Sequence, residues 1–255
     1  MANYVQSNAK YYKGSKASGE IGHIQRAFAD NKNSVDELKQ YNFSSTNDLH
    51  TAYKQAFNQA AKKRPELGLP EANAYLDTVV SFSRGQVREL IEKHGWEKVQ
   101  KGIERRLNSF MEEIEEKQGF KAVGWGFHAD EGHKDPLTGE WKENYHAHVV
   151  FLNYDEKTNK MPLRRKKKAD WEQFQDIVAG CFQKMGFKRG INKELTQAEH
   201  LEKDEFIAQK QNRILQENNL LKKFYSQMEK LIGYFEANNE KRLKSTENRI
   251  QKTVD

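Results

Sequence analysis

Two stretches of this chain alternate apolar and polar residues with a period of two, and histidine stands at the end of each that is nearer the other in sequence. Lys121 to His128 sets Val123, Trp125 and Phe127 against Gly124, Gly126 and His128. Tyr145 to Tyr154 opens with His146-Ala147-His148 and continues through Val149, Val150, Phe151 and Leu152. A period of two is that of a β-strand, and the link between them is rich in turn residues, Asp135-Pro136 and Thr138-Gly139. The expected arrangement is an antiparallel pair around an extended hairpin. A further strand is expected over Ala74 to Arg84, with Leu76, Thr78, Val80 and Phe82 on one face. Between these strands, Val99, Ile103, Leu107, Phe110 and Ile114 recur at steps of three or four, which predicts an amphipathic helix over Gly85 to Lys117, broken near Gly95. Trp171, Phe174, Val178, Cys181 and Met185 predict another, stopped by Gly186. The expected class is α+β, an antiparallel sheet flanked by helices.

The pattern changes towards the C-terminus. All four prolines lie at or before Pro162, and beyond His200 the apolar residues recur in sevens: Ile207, Ile214, Leu221, Met228 and Phe235 at one heptad position, Phe224 and Leu231 at another. This predicts a coiled-coil-like helical arm, with residues 1–198 as the main domain and 199–255 as the arm. An arm that can pair with itself also explains the high charged fraction of 31% and the mean hydropathy of −1.00. The single cysteine, Cys181, allows no internal disulfide, and Met1 to Gly14 is polar and lacks the apolar run of a signal peptide. No apolar run approaches the roughly 20 residues of a membrane span. A cytoplasmic protein is expected.

The histidines carry the chemistry. His146 and His148 project from the same face of one strand, and His128 ends its pairing partner. Three neutral imidazoles suit Mn²⁺, Zn²⁺ or another transition metal and leave coordination positions open for a substrate oxygen. Asp130 and Glu131 follow His128 directly, and either carboxylate is placed to complete the coordination or to orient a ligand ring. His133 is expected in the loop. Near the N-terminus, a helix starting at Ile24 would set Arg26 one turn beyond His23, a pairing suited to phosphate chemistry. Arg164, Arg165, Lys166, Lys167 and Lys168 form a run of five cations before the Trp171 helix and are candidates for nucleic-acid contact, in keeping with a net charge of +6.

With these residues in view, the chain resembles the His-hydrophobic-His endonucleases, and among them the plasmid mobilisation relaxases of the MobV (Mob/Pre) type. His23-Ile24-Gln25-Arg26 is similar to that family's N-terminal H-x-x-R motif. His128-x-Asp130-Glu131 followed by His146-x-His148 is similar to its H-x-D-E-x-x-P-H-x-H metal motif. Phe174-Gln175-Asp176 through Gly186-Phe187-Lys188-Arg189-Gly190 resembles the helix and ending that follow it. The chain departs from the pattern where Gly132 to Tyr145 replaces a short link and Tyr145 stands in place of proline. A longer loop need not move the ends of its strands.

The resemblance implies site- and strand-specific nicking of single-stranded or hairpin DNA at a transfer origin, with the enzyme left on the 5′ phosphate, in a bacterial, plasmid-encoded setting. It implies a divalent metal, most readily Mn²⁺ with Mg²⁺ or another transition metal as alternatives, held by His128, His146 and His148, with Glu131 beside it. It also implies His23 as nucleophile and Arg26 as phosphate-positioning residue. A coupling protein and a dimer through the arm are the implied partners. Tyr11 and Tyr12 are the alternative nucleophiles. Two other readings stand beside this one. A rolling-circle replication initiator of the same superfamily carries its tyrosine on the helix after the histidine pair, where Ala169 to Met185 has none. The other is a basic DNA-binding module without catalysis.

Overall fold

Alternating apolar residues on several short segments have to bury one or both sheet faces, and here they do so in a six-stranded sheet with helices on either side. The computed structural model describes residues 3–27, 33–135, 138–190 and 203–254, the last stretch with side chains over 212–249. In chain order the elements are β1 (Tyr4–Tyr12), α1 (Ala17–Ile24), β2 (Phe43–Ser44), α2 (Leu49–Lys63), β3 (Tyr75–Phe82), α3 (Arg84–His94) and α4 (Trp96–Gln118). They continue with β4 (Lys121–His128), β5 (Gly132–Lys134), β6 (Trp141–Glu143), β7 (His146–Leu152), α5 (Lys168–Phe182), β8 (Lys188–Arg189) and α6 (Lys203–Val254). The sheet order is β2-β4-β7-β3-β1-β8, antiparallel except for the β1 and β8 pair. The chain divides into two units, Met1–Asn192 and Lys193–Asp255, and the expected boundary at 198/199 falls outside the described residues.

The apolar faces follow the alternation. Leu76, Val80 and Phe82 of β3, Trp125 and Phe127 of β4, and Ala147, Val149 and Phe151 of β7 face the buried stripe of α4 (Val99, Ile103, Leu107, Phe110, Ile114) and α5 (Phe174, Ile177, Val178). The break between α3 and α4 is at Gly95, whose φ of 78° lies where only glycine is at ease. The opposite sheet face carries Tyr75, Val150 and Leu152 against α1 and α2, through Ile21, Ile24, Leu49 and Tyr53. On this second face the β4 residues are Gly124, Gly126 and His128. A Cβ on Gly126 would stand 2.6 Å from Ile24 Cγ2, and one on Gly124 would stand 2.7 Å from Leu49 Cδ1. The two glycines therefore let α1 and α2 lie directly on the strand.

Two features depart from what the sequence predicts, and the C-terminal arm agrees with it in being helical. β1 is a full strand of the sheet, paired along its length with β3 and bordered on its other side only by the two-residue β8. Its inward residues are as small and polar as Ser7 and Ala9, and it is held partly by Gln175 of α5, whose Oε1 accepts from Ser7 N at 3.1 Å. The helix near His23 ends at Ile24 instead of starting there. Ala27 N donates to Gly22 O (2.9 Å) and Arg26 N to His23 O (3.1 Å), the closing turn of a helix, with Arg26 left-handed at φ 57°. The C-terminal arm is one long helix on which Leu221, Phe224, Met228, Leu231 and Phe235 are exposed. No helix among the described residues is long and apolar enough to cross a membrane.

Because Ile24 is branched at the point of contact, Gly126→Ala should cost about 1–3 kcal/mol in urea denaturation. Gly19→Ala in α1, which meets nothing within 4 Å, should leave stability unchanged or slightly raised.

Candidate metal centre

The second face of β4, β7 and β3 places four polar residues side by side in an otherwise apolar surface. His128 pairs directly across from His146, His148 lies two residues further along β7, and Asp77 sits on the neighbouring β3. The three rings are 1%, 4% and 8% exposed, and their centroids lie 5.1–5.2 Å apart. Each ring has one nitrogen tied outward. His128 Nε2 donates to Ile24 O (2.8 Å), His146 Nδ1 to Asn144 O (2.7 Å) and His148 Nδ1 to Asp77 Oδ2 (2.8 Å). All three partners are oxygens that can only accept here, so these nitrogens carry the protons. The lone pairs of the neutral rings are then on His128 Nδ1, His146 Nε2 and His148 Nε2.

Ligand atoms of His128, Glu131 and His146 lie within 4.8 Å of one another, and so do those of His23, His128 and His148. His128 Nδ1 and His146 Nε2 are 3.3 Å apart, and His148 Nε2 is buried with no hydrogen-bond partner. Lone pairs so placed repel unless a cation lies between them, and the 3.3 Å separation suits two ligands of one ion held about 2.1 Å away. Glu131 adds oxygen. Its Oε1 lies 3.8 Å from His128 Nδ1 and its Oε2 3.7 Å from His146 Nε2. Three imidazoles with one nearby carboxylate fit Mn²⁺, Zn²⁺ or a similar ion, and the outward acceptors are the tautomer-fixing contacts that such ligands need.

The electrostatics favour neutral rings at His128 and His146. Burial and the neighbouring His146 hold His128 far below the ordinary histidine range, and burial together with His148 lowers His146 to about 4. Burial also pulls on His148, but the charge and hydrogen bond of Asp77 outweigh it and leave that ring above its ordinary value.

His23 faces this cluster from the last turn of α1. Its ring centroid is 5.4 Å from that of His148 and 5.7 Å from that of His128, and its Nε2 is 3.5 Å from Glu131 Oε1. Burial and His148 lower its pKa. Arg26 is held by carboxylates: Nε and Nη2 fork onto Asp130 at 3.0 and 2.6 Å, and Nη1 reaches Glu131 Oε1 at 2.9 Å. The guanidinium expected to face a phosphate is thus taken up within the protein, because Asp130, 0% exposed, requires a counter-charge. The two carboxylates left open by the sequence are separated by this contact. Asp130 takes the fork of Arg26, and Glu131, which also meets Arg26, faces the rings.

The inserted hairpin β5-β6 is closed at its base, where Asn144 N donates to Glu131 O at 2.7 Å, so Glu131 and His146 stay together. His133 lies on β5. Among the tyrosines, Tyr11 pairs with Leu76 and so points to the other sheet face. Tyr12 shares the face of the histidines but sits two strands over and four residues along, about 16 Å away by strand spacing, and burial beside Glu20 and Asp77 raises it to about 12. The basic run lies at the far end of β7. Lys166 is turned inward over the Phe120 ring (5.2 Å to its centroid) and onto Gln118, Lys167 caps α5, and Lys168 is 3.9 Å from Glu172. Arg164 and Arg165 are exposed. Asp77 was missed by the sequence reading, although a lone carboxylate inside an apolar strand was a usable signal.

No family model and no curated protein matches the sequence. Solved structures do match. An Mn-bound MobM relaxase domain (MOBV; Mob_Pre) in complex with plasmid oriT DNA is similar with a TM-score of 0.61 and 17% identity, over 80% of this chain and 98% of that one. The same domain with a 26-nucleotide oriT DNA gives 0.54 and 15%, over 80% and 99%. At such identity the likeness is one of fold: this chain has the fold of a MobV-type relaxase domain.

Asp77→Asn should weaken Mn²⁺ affinity about 10- to 100-fold in calorimetric titration, with little change in fold. In metal-free protein, His128 and His146 refuse protons that the unfolded chain accepts near pH 6.5, so their contribution is present above that pH and is lost as pH falls towards about 4. The raised His148 acts oppositely, its contribution being lost as pH rises. Chemical denaturation should therefore show stability declining below about pH 6.5, by up to about 1.4 kcal/mol per pH unit for each lowered ring.

Proposed function

We propose that this chain is a metal-dependent relaxase that nicks one DNA strand at a transfer origin and retains the 5′ phosphate covalently on His23. The observation that carries this reading is a pair of ligand groups that share His128, one with Glu131 and His146 and one with His23 and His148, in which the rings of His128, His146 and His148 are each fixed from behind. A divalent ion held by His128, His146 and His148, most readily Mn²⁺, would supply Lewis-acid polarisation of the scissile phosphate.

The chain's own residues do the rest. The lowered pKa of His23 keeps its ring uncharged, so a lone pair is available at neutral pH without a separate base. That lone pair forms the N–P bond as the P–O3′ bond breaks, and the departing 3′ oxygen takes up a proton from water. The ring then sheds its remaining N–H proton, for which Glu131 Oε1, 3.5 Å from His23 Nε2, is the acceptor. Reversal of the step rejoins a strand and accounts for transfer. Arg26 holds Glu131 and Asp130 in place, and through its own backbone it ends α1 so that His23 faces the rings. The exposed members of the basic run, together with base contacts, bind the single-stranded or hairpin origin. The heptad face of α6 pairs two copies or docks an accessory or coupling protein.

A tyrosine nucleophile, as in a replication initiator, is disfavoured by the distance and raised pKa of Tyr12 and by the orientation of Tyr11. Incubation with single-stranded origin DNA and Mn²⁺, followed by mass spectrometry of the linked peptide, tests the assignment. His23→Ala should abolish the adduct and slow cleavage about a thousandfold or more, whereas Tyr12→Phe should retain it. His146→Ala should remove both cleavage and Mn²⁺ binding. An adduct on a tyrosine, or unchanged nicking by His146→Ala, would refute the corresponding role.

A further inference from the structure

We propose that Glu20, one turn before His23 on α1, is the acid that hands a proton to the departing 3′ oxygen on cleavage and, as a carboxylate, takes it back from the 3′ hydroxyl on rejoining. This role rests on the DNA-cleaving reading above, in which that proton comes from water; Glu20 is the relay.

Helix α1 crosses the second sheet face, and its side chains follow the order of the strands beneath. Ile24 lies on Gly126 of β4, and His23 faces the His128 and His148 rings of β4 and β7. Glu20 comes next: the charges of Asp77 on β3, His148 on β7 and Lys10 on β1 act on it, and it acts in turn on Tyr12 of β1. Ala17, Ile21 and Ile24 form the stripe that α1 buries. Residues three apart on a helix share a side, with Cβ atoms about 5–6 Å apart. Glu20 and His23 therefore flank this stripe on the same side, and both are half-buried.

That separation is the one the reaction needs. In-line displacement at phosphorus puts the attacking and leaving atoms on opposite sides. With the ring nitrogen about 3–3.5 Å from phosphorus before attack, the 3′ oxygen is about 5 Å from that nitrogen, and its proton donor stands beyond it. Glu131, at 3.5 Å from His23, is too near the attacking ring, and Arg26 holds it at 2.9 Å. Asp130 is forked by Arg26, Asp77 is bonded to His148, and Tyr12 lies on β1, two strands from β7. Glu20 makes no hydrogen bond or salt bridge among the described residues. Burial, and after it the charge of Asp77, raise its carboxyl above the ordinary range, against His148, Lys10 and Lys16. The phosphates of a bound strand push the same way and the ion's charge the other.

On cleavage the N–P bond forms, and the P–O3′ bond breaks with its electron pair going to oxygen. The Glu20 O–H proton moves to that oxygen, leaving a carboxylate that water reprotonates at its exposed side. On rejoining, the carboxylate accepts the proton of the 3′ hydroxyl as its oxygen attacks phosphorus and the N–P bond breaks. A hydroxyl is a poor nucleophile until its proton has a destination, so both directions depend on the same group.

The test uses Glu20→Gln, which keeps the size of the side chain and removes its proton chemistry, in the full chain with Mn²⁺ and two single-stranded origin DNAs. One carries the ordinary 3′ oxygen at the nick. The other carries a bridging 3′ sulfur, which departs as a thiolate without a proton. Single-turnover adduct formation by Glu20→Gln should fall about 100-fold or more on the oxygen DNA and stay close to that of the unaltered chain on the sulfur DNA. Affinities for Mn²⁺ and for DNA should not change. Equal losses on the two DNAs, full activity on the oxygen DNA, or lost Mn²⁺ binding overturns the role of Glu20. An unaltered chain that links DNA through a tyrosine, or nicks neither DNA, overturns the DNA-cleaving reading and this role with it.

Discussion

The structure depends on holding the inner nitrogens of His128 and His146 3.3 Å apart, with His148 beside them, inside a buried sheet face. Left alone, such an arrangement repels, and burial makes the repulsion worse because little solvent screens it. It is sustained because the opposite nitrogen of each ring is committed to an acceptor: the carbonyls of Ile24 and Asn144 and the carboxylate of Asp77. Protonation of the inner nitrogens of His128 and His146 is discouraged by burial, whereas Asp77 raises His148. What remains is a set of donors whose mutual repulsion is relieved by positive charge, and this is the physical content of a metal site.

The surrounding fold can be read as the means of placing those acceptors. Gly126 removes a side chain from β4, α1 settles onto the strand, and the Ile24 carbonyl arrives at His128. Once α1 is there, it has to stop before it overruns the site. Arg26 stops it in a left-handed conformation that costs a non-glycine residue roughly 1–2 kcal/mol, and the fork onto Asp130 and the reach to Glu131 offset that strain. Asn42 Oδ1 accepts from Ala129 N and Asp130 N, fixing the loop in which both carboxylates lie. Each contact lies on a different segment, so the centre joins the N-terminal helix, the edge strand and the central hairpin.

Much of this could be read in the residues themselves. The strands at Lys121 to His128 and Tyr145 to Tyr154, the break at Gly95 and the buried stripe from Val99 to Ile114 lie where periodicity puts them, because a face that must be dry imposes its period directly. The histidine triplet was legible for the same reason. β1 was not, since Ser7 and Ala9 do not stand out as apolar and its burial comes from α5. The helix end at Ile24 is not legible in the sequence, because a closing turn with arginine in place of glycine carries no ordinary signal. Lys166 looked like one more surface cation until Phe120 and Gln118 were seen to enclose it.

Local pattern alone determined that β4 and β7 are strands and that His146 and His148 share a face, because strand periodicity is a property of neighbouring residues; the register, with its shift between Ala122 and Gly124 that turns Val123 to the face opposite Trp125 and Phe127, came from the tertiary structure. Local pattern also determined the helical character of the C-terminal arm. Only the tertiary structure decided which nitrogen of each ring is tied outward, that Glu131 meets the rings while both carboxylates meet Arg26, and that His23 stands over the cluster while Tyr11 and Tyr12 do not. Those outcomes turn on acceptors and counter-charges supplied by residues far away along the chain, as Ile24 is from His128, and no short-range regularity records them.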